Sequence, residues 1–279
     1  MTFAENSASD RYEFGANWAS FVDNHYSAER RRMATDKLLS FLGKTSLEGM
    51  DFLDIGSGSG LHSLAAFDAK ADRIHSFDLD PLSVTTTGKL RHLAGDPPNW
   101  TVERGNVLDA DYLETLGTWS LVYSWGVLHH TGAMWQAVEN AARRVAPGGL
   151  FFIALYSSNV VKPSAEFWLD VKRRYNASSP RRRRWMEYWY IWRFDLGRNP
   201  LQLPQLVKRI HEKKKGRGMS YMTDIRDWLG GWPMEFADDQ AVIDFLKERF
   251  DFELVRISTG EACTEFLFQS TSGPPSKPA

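Results

Sequence analysis

Two groups of residues have the types and spacing for chemistry. The first is Asp54-Ile55-Gly56-Ser57-Gly58-Ser59-Gly60, set between a short apolar run and a helix-like run. Glycines there let the backbone turn sharply and approach a ligand with no Cβ in the way, and a helix start offers unpaired N–H groups. A dinucleotide fingerprint, Gly-x-Gly-x-x-Gly, fails because its third glycine would fall on Leu61 or Ser63. Gly43-Lys44-Thr45 hints at a P-loop, but the glycine required five residues earlier is Leu38. What remains is a nucleoside with an amino-acid tail, whose ammonium Asp54 can attract directly or through water. Ser76-Phe77-Asp78-Leu79-Asp80-Pro81 then puts acids at the next strand's carboxyl edge. Asp78 suits the hydroxyls of a ribose, and Asp80, just before Pro81, suits a helix cap.

The second group is Ser124-Trp125-Gly126-Val127-Leu128-His129-His130-Thr131. Adjacent histidines cannot point the same way. Either His129 or His130 has a pKa suited to taking a proton from an attacking hydroxyl. The alternative is that both close the turn through backbone hydrogen bonds. Nothing supplies further ligands at metal-binding spacing, so no metal centre is expected.

The elements that must position these residues alternate. Tyr26–Leu42 reads as a helix stopped by Gly43. Short apolar strands follow at Met50–Ile55, Arg73–Phe77, Trp100–Glu103, Trp119–Ser124 and Leu150–Tyr156, with helices at Leu61–Ala69, Pro81–Leu93 and Ala133–Val145. Pro147-Gly148-Gly149 is read as the stop of the last of these helices. Such alternation implies a doubly wound α/β fold around a mostly parallel sheet. A helix at Asp239–Arg249 and strands at Phe252–Ile257 and Ala262–Gln269 complete it, the final strand antiparallel.

On these residues the sequence resembles the class I S-adenosylmethionine-dependent methyltransferases. The resemblance rests on the Asp54–Gly60 loop, Asp78, Gly105-Asn106-Val107, the Leu121–Thr131 region and Pro147-Gly148-Gly149, and covers roughly Gly49 to Tyr156. It implies S-adenosyl-L-methionine as cofactor. Asp54 and Gly56 would serve its methionine end, Asp78 the ribose, and Leu79 the adenine face, with Ser57, Gly58 and Gly60 also among the cofactor-binding residues. Asn106 and Val107 would meet the adenine edge, although many members carry Asp where Asn106 stands. Ser124 and Trp125 would border the donor. In plant-type small-molecule O-methyltransferases the base occupies the place of His129, and their Trp-containing segment loosely resembles Trp125–His129. The run from Trp18 to Gly231-Trp232-Pro233 is similar to a bacterial subfamily with a helical insertion after the fifth strand.

Of 279 residues, 43% are hydrophobic and 25% charged, with a net charge of −1, which disfavours a chain wrapped in nucleic acid. Cys263 is the single cysteine, so no internal disulfide forms, and with no signal peptide or apolar span in view a cytoplasmic protein is expected. Charge is unevenly divided. Residues 158–237 hold 17 Lys/Arg against 8 Asp/Glu and six of the 11 Trp, a net of +9 that leaves −10 elsewhere. This suggests a separate unit.

The expected organisation is an N-terminal helical lid (1–48), a cofactor-binding domain (49–157 and 238–270), an α-helical cap (158–237) and a disordered tail (271–279). Trp185, Tyr188, Trp189 and Trp192 fall on one helical face behind Arg181–Arg184. That face could bind single-stranded nucleic acid, rest on a membrane surface or hold an anionic substrate; a packed cap with a solvated basic rim is preferred. Tyr156 at a strand end, with Tyr12, Phe14, Trp18 and Tyr26 from the lid, are candidate substrate contacts. The expected activity is methyl transfer to a small organic acceptor, O-methylation favoured; an RNA methyltransferase and a non-methylating cofactor binder are the alternatives.

Overall fold

The computed structural model describes residues 14–217, 221–260 and 262–271. Tyr12 and the tail beyond Thr271 lie outside them. Two helices lead in, α1 (Gly15–His25) and α2 (Ala28–Leu42). Helix α2 starts where the Ser27 hydroxyl accepts the Arg30 N–H, and stops at Gly43, left-handed at φ 66°. The alternating part follows: β1 (Asp51–Ile55), α3 (Leu61–Asp68), β2 (Arg73–Asp78), α4 (Pro81–Leu93), β3 (Trp100–Arg104), α5 (Ala110–Thr115), β4 (Trp119–Trp125), α6 (Met134–Ala142) and β5 (Val145–Tyr156). The chain then forms α7 (Ala165–Asn176), α8 (Pro180–Tyr190), α9 (Leu203–Arg217) and α10 (Tyr221–Gly230). It ends with α11 (Asp239–Phe250), β6 (Phe252–Thr259) and β7 (Cys263–Ser270).

The seven strands lie in the order β3-β2-β1-β4-β5-β7-β6. β7 runs antiparallel to both its neighbours, β5 and β6, while the other neighbouring pairs are parallel. Central strands are buried on both faces, which is why they read as unbroken apolar runs rather than alternating ones. The edge strand β6 is exposed along most of its length and carries Glu253 and Arg256, charges that discourage edge-to-edge pairing. One core layer packs α2, α3 and α4 on one face around Phe41, Leu64 and Leu90. The other packs α6 and α11 on the opposite face around Val138 and Leu246.

One expectation needs correction. Pro147-Gly148-Gly149 does not stop a helix. Helix α6 ends at Ala142, and the chain enters β5 at Val145, pairing with Trp119 before the register shifts so that Leu150 pairs with Leu121. The Pro-Gly-Gly segment is therefore an irregularity inside the strand's start, with Gly148 at φ 71°.

Between β5 and α11 the chain builds its own small core of Val161, Trp168, Val171, Tyr175, Ile225 and Leu229. Both ends of this insertion are tied to the end of β5. Ser157 forms a parallel bridge with Ala237, the Ser158 N–H donates to the Ala237 carbonyl (2.9 Å), and the Ala237 N–H donates to the Tyr156 carbonyl (2.9 Å). No helix among the described residues is long and apolar enough to cross a membrane.

Candidate active site

The strand order reverses between β1 and β4, and ligands of open α/β sheets bind outside the carboxyl ends of strands at such a point. The glycine loop leaves β1 there. Gly56 is at φ 78°, and a Cβ on it would lie 2.5 Å from both methyls of Val127 in the turn after β4. Only glycine lets the two strand-end turns meet this closely. Gly60, at φ 77°, opens α3.

Asp78 organises the loop. Its carboxylate accepts the Gly58 N–H (2.9 Å) through one oxygen and the Asp80 N–H (2.9 Å) through the other. Burial pushes its pKa up to about 6, against the pull of these N–H groups. Ser57 binds Thr87 through their hydroxyls (2.9 Å). Leu79, 38% exposed beside Asp78, presents an apolar side chain at the strand end. On the next turn the Asn106 side-chain oxygen accepts the Leu108 N–H (3.0 Å), so its acceptor is already engaged, while the Val107 side chain is buried in the core.

Asp54 turns inward. The Ser63 hydroxyl donates to it, Ser63 and Ser76 share a 2.7 Å hydrogen bond, and the Trp100 indole N–H donates to Ser76 (2.9 Å). This chain ties β1, α3, β2 and β3 together. Burial pushes the Asp54 pKa up to about 7, and the nearby Asp78 charge adds to the rise. A carboxyl whose folded pKa lies above its unfolded value stabilises the fold below the unfolded pKa and loses that contribution as pH rises through the folded one. Between about pH 4 and pH 7, wild-type stability should therefore fall relative to Asp54→Asn, which cannot titrate. Thermal melts of both proteins across that window check this; parallel curves would count against it.

Helix α1 lies across the loop. Its first N–H, from Gly15, donates to Asp80 (2.8 Å), whose other oxygen caps α4 by accepting the Leu82 N–H (2.8 Å). The capping role expected for Asp80 thus serves two helices. Trp18 sits over Gly58, with its indole nitrogen 3.0 Å from where a Cβ would stand. Tyr26 is not at the loop. It hydrogen-bonds Arg31, which pairs with Asp68 (2.5 Å) at the far end of α3. Ser124 and Trp125 are likewise turned to other partners: Ser124 donates to the Ile55 carbonyl (2.9 Å), and the Trp125 indole N–H to Glu265 (2.7 Å).

The histidines occupy one turn of 3-10 helix after β4. His129 is fully buried, and its Nδ1 accepts the backbone N–H of Tyr156 (3.2 Å). That bond requires an unprotonated Nδ1, so in the neutral ring the proton sits on Nε2, which is buried with no partner among the described residues. His130 has the opposite tautomer. Its Nδ1–H donates to the Pro233 carbonyl (2.7 Å), leaving the Nε2 lone pair to accept a proton. Burial lowers both pKa values, that of His130 to about 4, so both rings are neutral near pH 7. Tyr156 packs against His129 with its ring tilted (4.1 Å between ring centres) and meets Trp228 of α10 edge-on (5.5 Å); Phe14 lies 5.0 Å from His130.

Lys172 was not anticipated. It lies on α7 in the stripe Trp168, Val171, Lys172, Tyr175, fully buried, where it donates to the Trp228 carbonyl. A lone lysine at a helix position otherwise spaced for burial was the available signal. Trp189 also departs from the expected stripe: it packs on the insertion's core, while Trp185, Tyr188 and Trp192 remain exposed.

A seven-stranded sheet of this order, with a glycine loop at its reversal point and an acid ending β2, defines the class I methyltransferase fold. The model of the methyltransferase domain family matches residues 26–213, and the chain belongs to that family. It is an enzyme, a methyltransferase with S-adenosylmethionine as methyl donor. Among solved structures it is similar to an O-methyltransferase family protein from Burkholderia thailandensis, at TM-score 0.56 and 13% identity. That alignment covers 93% of this chain and 59% of that one. It is also similar to the magnesium protoporphyrin IX methyltransferase of Synechocystis PCC 6803 with bound S-adenosylhomocysteine, at TM-score 0.53 and 11% identity over 91% and 93% of the two chains. These likenesses carry the fold alone. No curated protein matches the chain.

Proposed function

We propose that this methyltransferase acts on an oxygen of a small organic acceptor, with His130 as the base. The observation that carries the reading is the His130 tautomer. The Pro233 carbonyl holds the proton on Nδ1 and leaves Nε2 as the basic nitrogen, beside Tyr156 at the sheet's carboxyl edge and beneath the insertion. The loop fits the donor in its glycines and in the position of Asp78, which would hold the ribose; Trp18 would cover the loop and Leu79 pack on the adenine. When bound, S-adenosylmethionine supplies a methyl group already activated by its sulfonium charge. The chain's part is then mostly alignment: Tyr156 and Trp228 wall the acceptor, and His130 takes its proton. His129, whose Nδ1 is tied to the backbone, orients Tyr156 and offers a donor.

Incubation with labelled donor and host metabolite extract, followed by identification of the labelled product, tests this. A methyl ether or ester is expected. Labelling on nitrogen or carbon would remove the oxygen assignment, and no transfer to any acceptor would favour a cofactor binder.

The exposed Trp185, Tyr188 and Trp192 beside Arg181–Arg184 keep an RNA-binding reading alive. As the rim of a substrate cap, this face should give neither RNA retention that declines steeply with salt nor flotation with anionic vesicles. Micromolar RNA binding abolished by Arg181–Arg184→Ala would overturn the cap reading.

A further inference from the structure

Four buried hydrogen-bond donors with little to bind lie in one aromatic cluster where the insertion meets the turn after β4. The indole nitrogens of Trp168 and Trp228 and Nε2 of His129 are each buried with no partner among the described residues. Lys172 is the fourth. One of its three N–H protons goes to the Trp228 carbonyl, and its nitrogen lies 4.5 Å from the centre of the Trp228 ring. The four are linked by a continuous chain of side-chain contacts. Trp168 and Lys172 are one turn apart on α7, the Trp168 and Trp228 rings are 5.0 Å apart, Trp228 is 5.5 Å from Tyr156, and Tyr156 is 4.1 Å from His129.

A folded protein leaves few buried donors unpaired, because each costs the desolvation of a polar group. Three unpaired N–H groups and an ammonium within one aromatic cluster match a single complement, a group that only accepts hydrogen bonds and carries negative charge. The charged and titratable groups facing Lys172 are Asp227, which favours its protonated form, and His129 and His130, both neutral. Asp227 is itself engaged by the Asn17 amide. Burial lowers the Lys172 pKa to about 7, and an incoming anion would restore its charge.

The geometry points to an acceptor that carries a carboxylate on an aromatic or otherwise apolar frame, held by Lys172 with the Trp168 and Trp228 indoles. This rests on the methyl-transfer reading for the identity of the site, and it names the acceptor's class. The competing account is that Lys172 only caps the carboxyl end of α10, where its bond to Trp228 already places it.

The test uses the full chain loaded with S-adenosylhomocysteine, titrated with benzoate and, separately, with benzamide, followed by calorimetry and tryptophan fluorescence. Benzoate should bind at least about tenfold more tightly than benzamide, the scale of a hydrogen bond to a charged group. Lys172→Met should abolish that preference while the affinity for S-adenosylhomocysteine stays the same. Because Lys172→Met also loses the α10 contact, Trp228→Phe is the second variant: it removes the N–H and keeps a smaller aromatic ring and the Lys172 bond to the backbone carbonyl, and should weaken benzoate severalfold while the affinity for S-adenosylhomocysteine stays the same. Absence of benzoate binding, equal binding of the two probes, or a preference surviving in both variants overturns the proposal. Labelled-donor turnover separates this from the parent reading. A protein that prefers benzoate yet methylates nothing sinks methyl transfer and keeps the anion site. One that methylates only neutral or cationic acceptors does the reverse.

Discussion

Replacing His130 with asparagine is expected to lower turnover by roughly 10²–10⁴-fold while leaving cofactor affinity nearly unchanged. Asparagine is the informative choice because its amide nitrogen can stand where Nδ1 stands and keep the bond to the Pro233 carbonyl, while nothing replaces Nε2. Since the His130 pKa is lowered to about 4, the acid limb of the wild-type rate profile should lie well below the usual imidazole range. His129→Gln should behave differently. Its ring supports the Tyr156 N–H from a fully buried position, so its loss should cost about 1–3 kcal/mol of stability and less in rate. Steady-state kinetics with melting curves for both variants check the assignment. A large rate loss confined to the His129 variant would exchange the two roles.

Asp78→Ala should weaken cofactor binding by roughly 1.5–3 kcal/mol, the scale for hydrogen bonds to a charged group. The same carboxylate takes the Gly58 and Asp80 N–H groups, so the variant also loosens the loop. Asp78→Asn retains an acceptor and should be intermediate. The ionised form accepts the ribose hydroxyls, so wild-type affinity should weaken as pH falls through about 6, and the Asp78→Asn variant should lose this dependence. Calorimetry on both sides of that pKa would decide; a pH-independent wild type, or Asp78→Ala binding as tightly as wild type, would remove Asp78 from the cofactor site.

The glycine loop and its place in the sheet were legible because they are local. Gly56, Gly58 and Gly60 answer to backbone needs within one turn, and Pro81 after Asp80 marks a helix start to the residue. The surroundings of the histidines, proposed above as the acceptor side, were not legible, because their contacts join distant parts of the chain. Nothing near His130 in the sequence says that Pro233 will fix its tautomer, and nothing near Trp125 says that Glu265 will hold its indole. Ranking His129 above His130 followed from resemblance to another family; the tautomers follow from backbone groups at Tyr156 and Pro233. Pro147-Gly148-Gly149 was misread for a related reason. Proline and glycine mark a break in any element, and only the pairing of Val145 with Trp119 shows that the break falls inside a strand. Lys172 was visible as a residue but not as a member of a cluster contributed by α7, α10 and the turn after β4.

The insertion enters and leaves the sheet through one narrow root, where Ser157 and Ser158 meet Ala237. A segment of about 80 residues whose two ends touch behaves as a graft. Lengthening or exchanging it changes the closure entropy only slowly with its size and leaves β5, β7 and the glycine loop in register. On the substrate-cap proposal, acceptor choice would drift through replacement of the graft while donor binding is inherited intact. A chimaera cut at the root, carrying another family member's insertion, is the construction in which this enzyme's specificity should travel as a single piece.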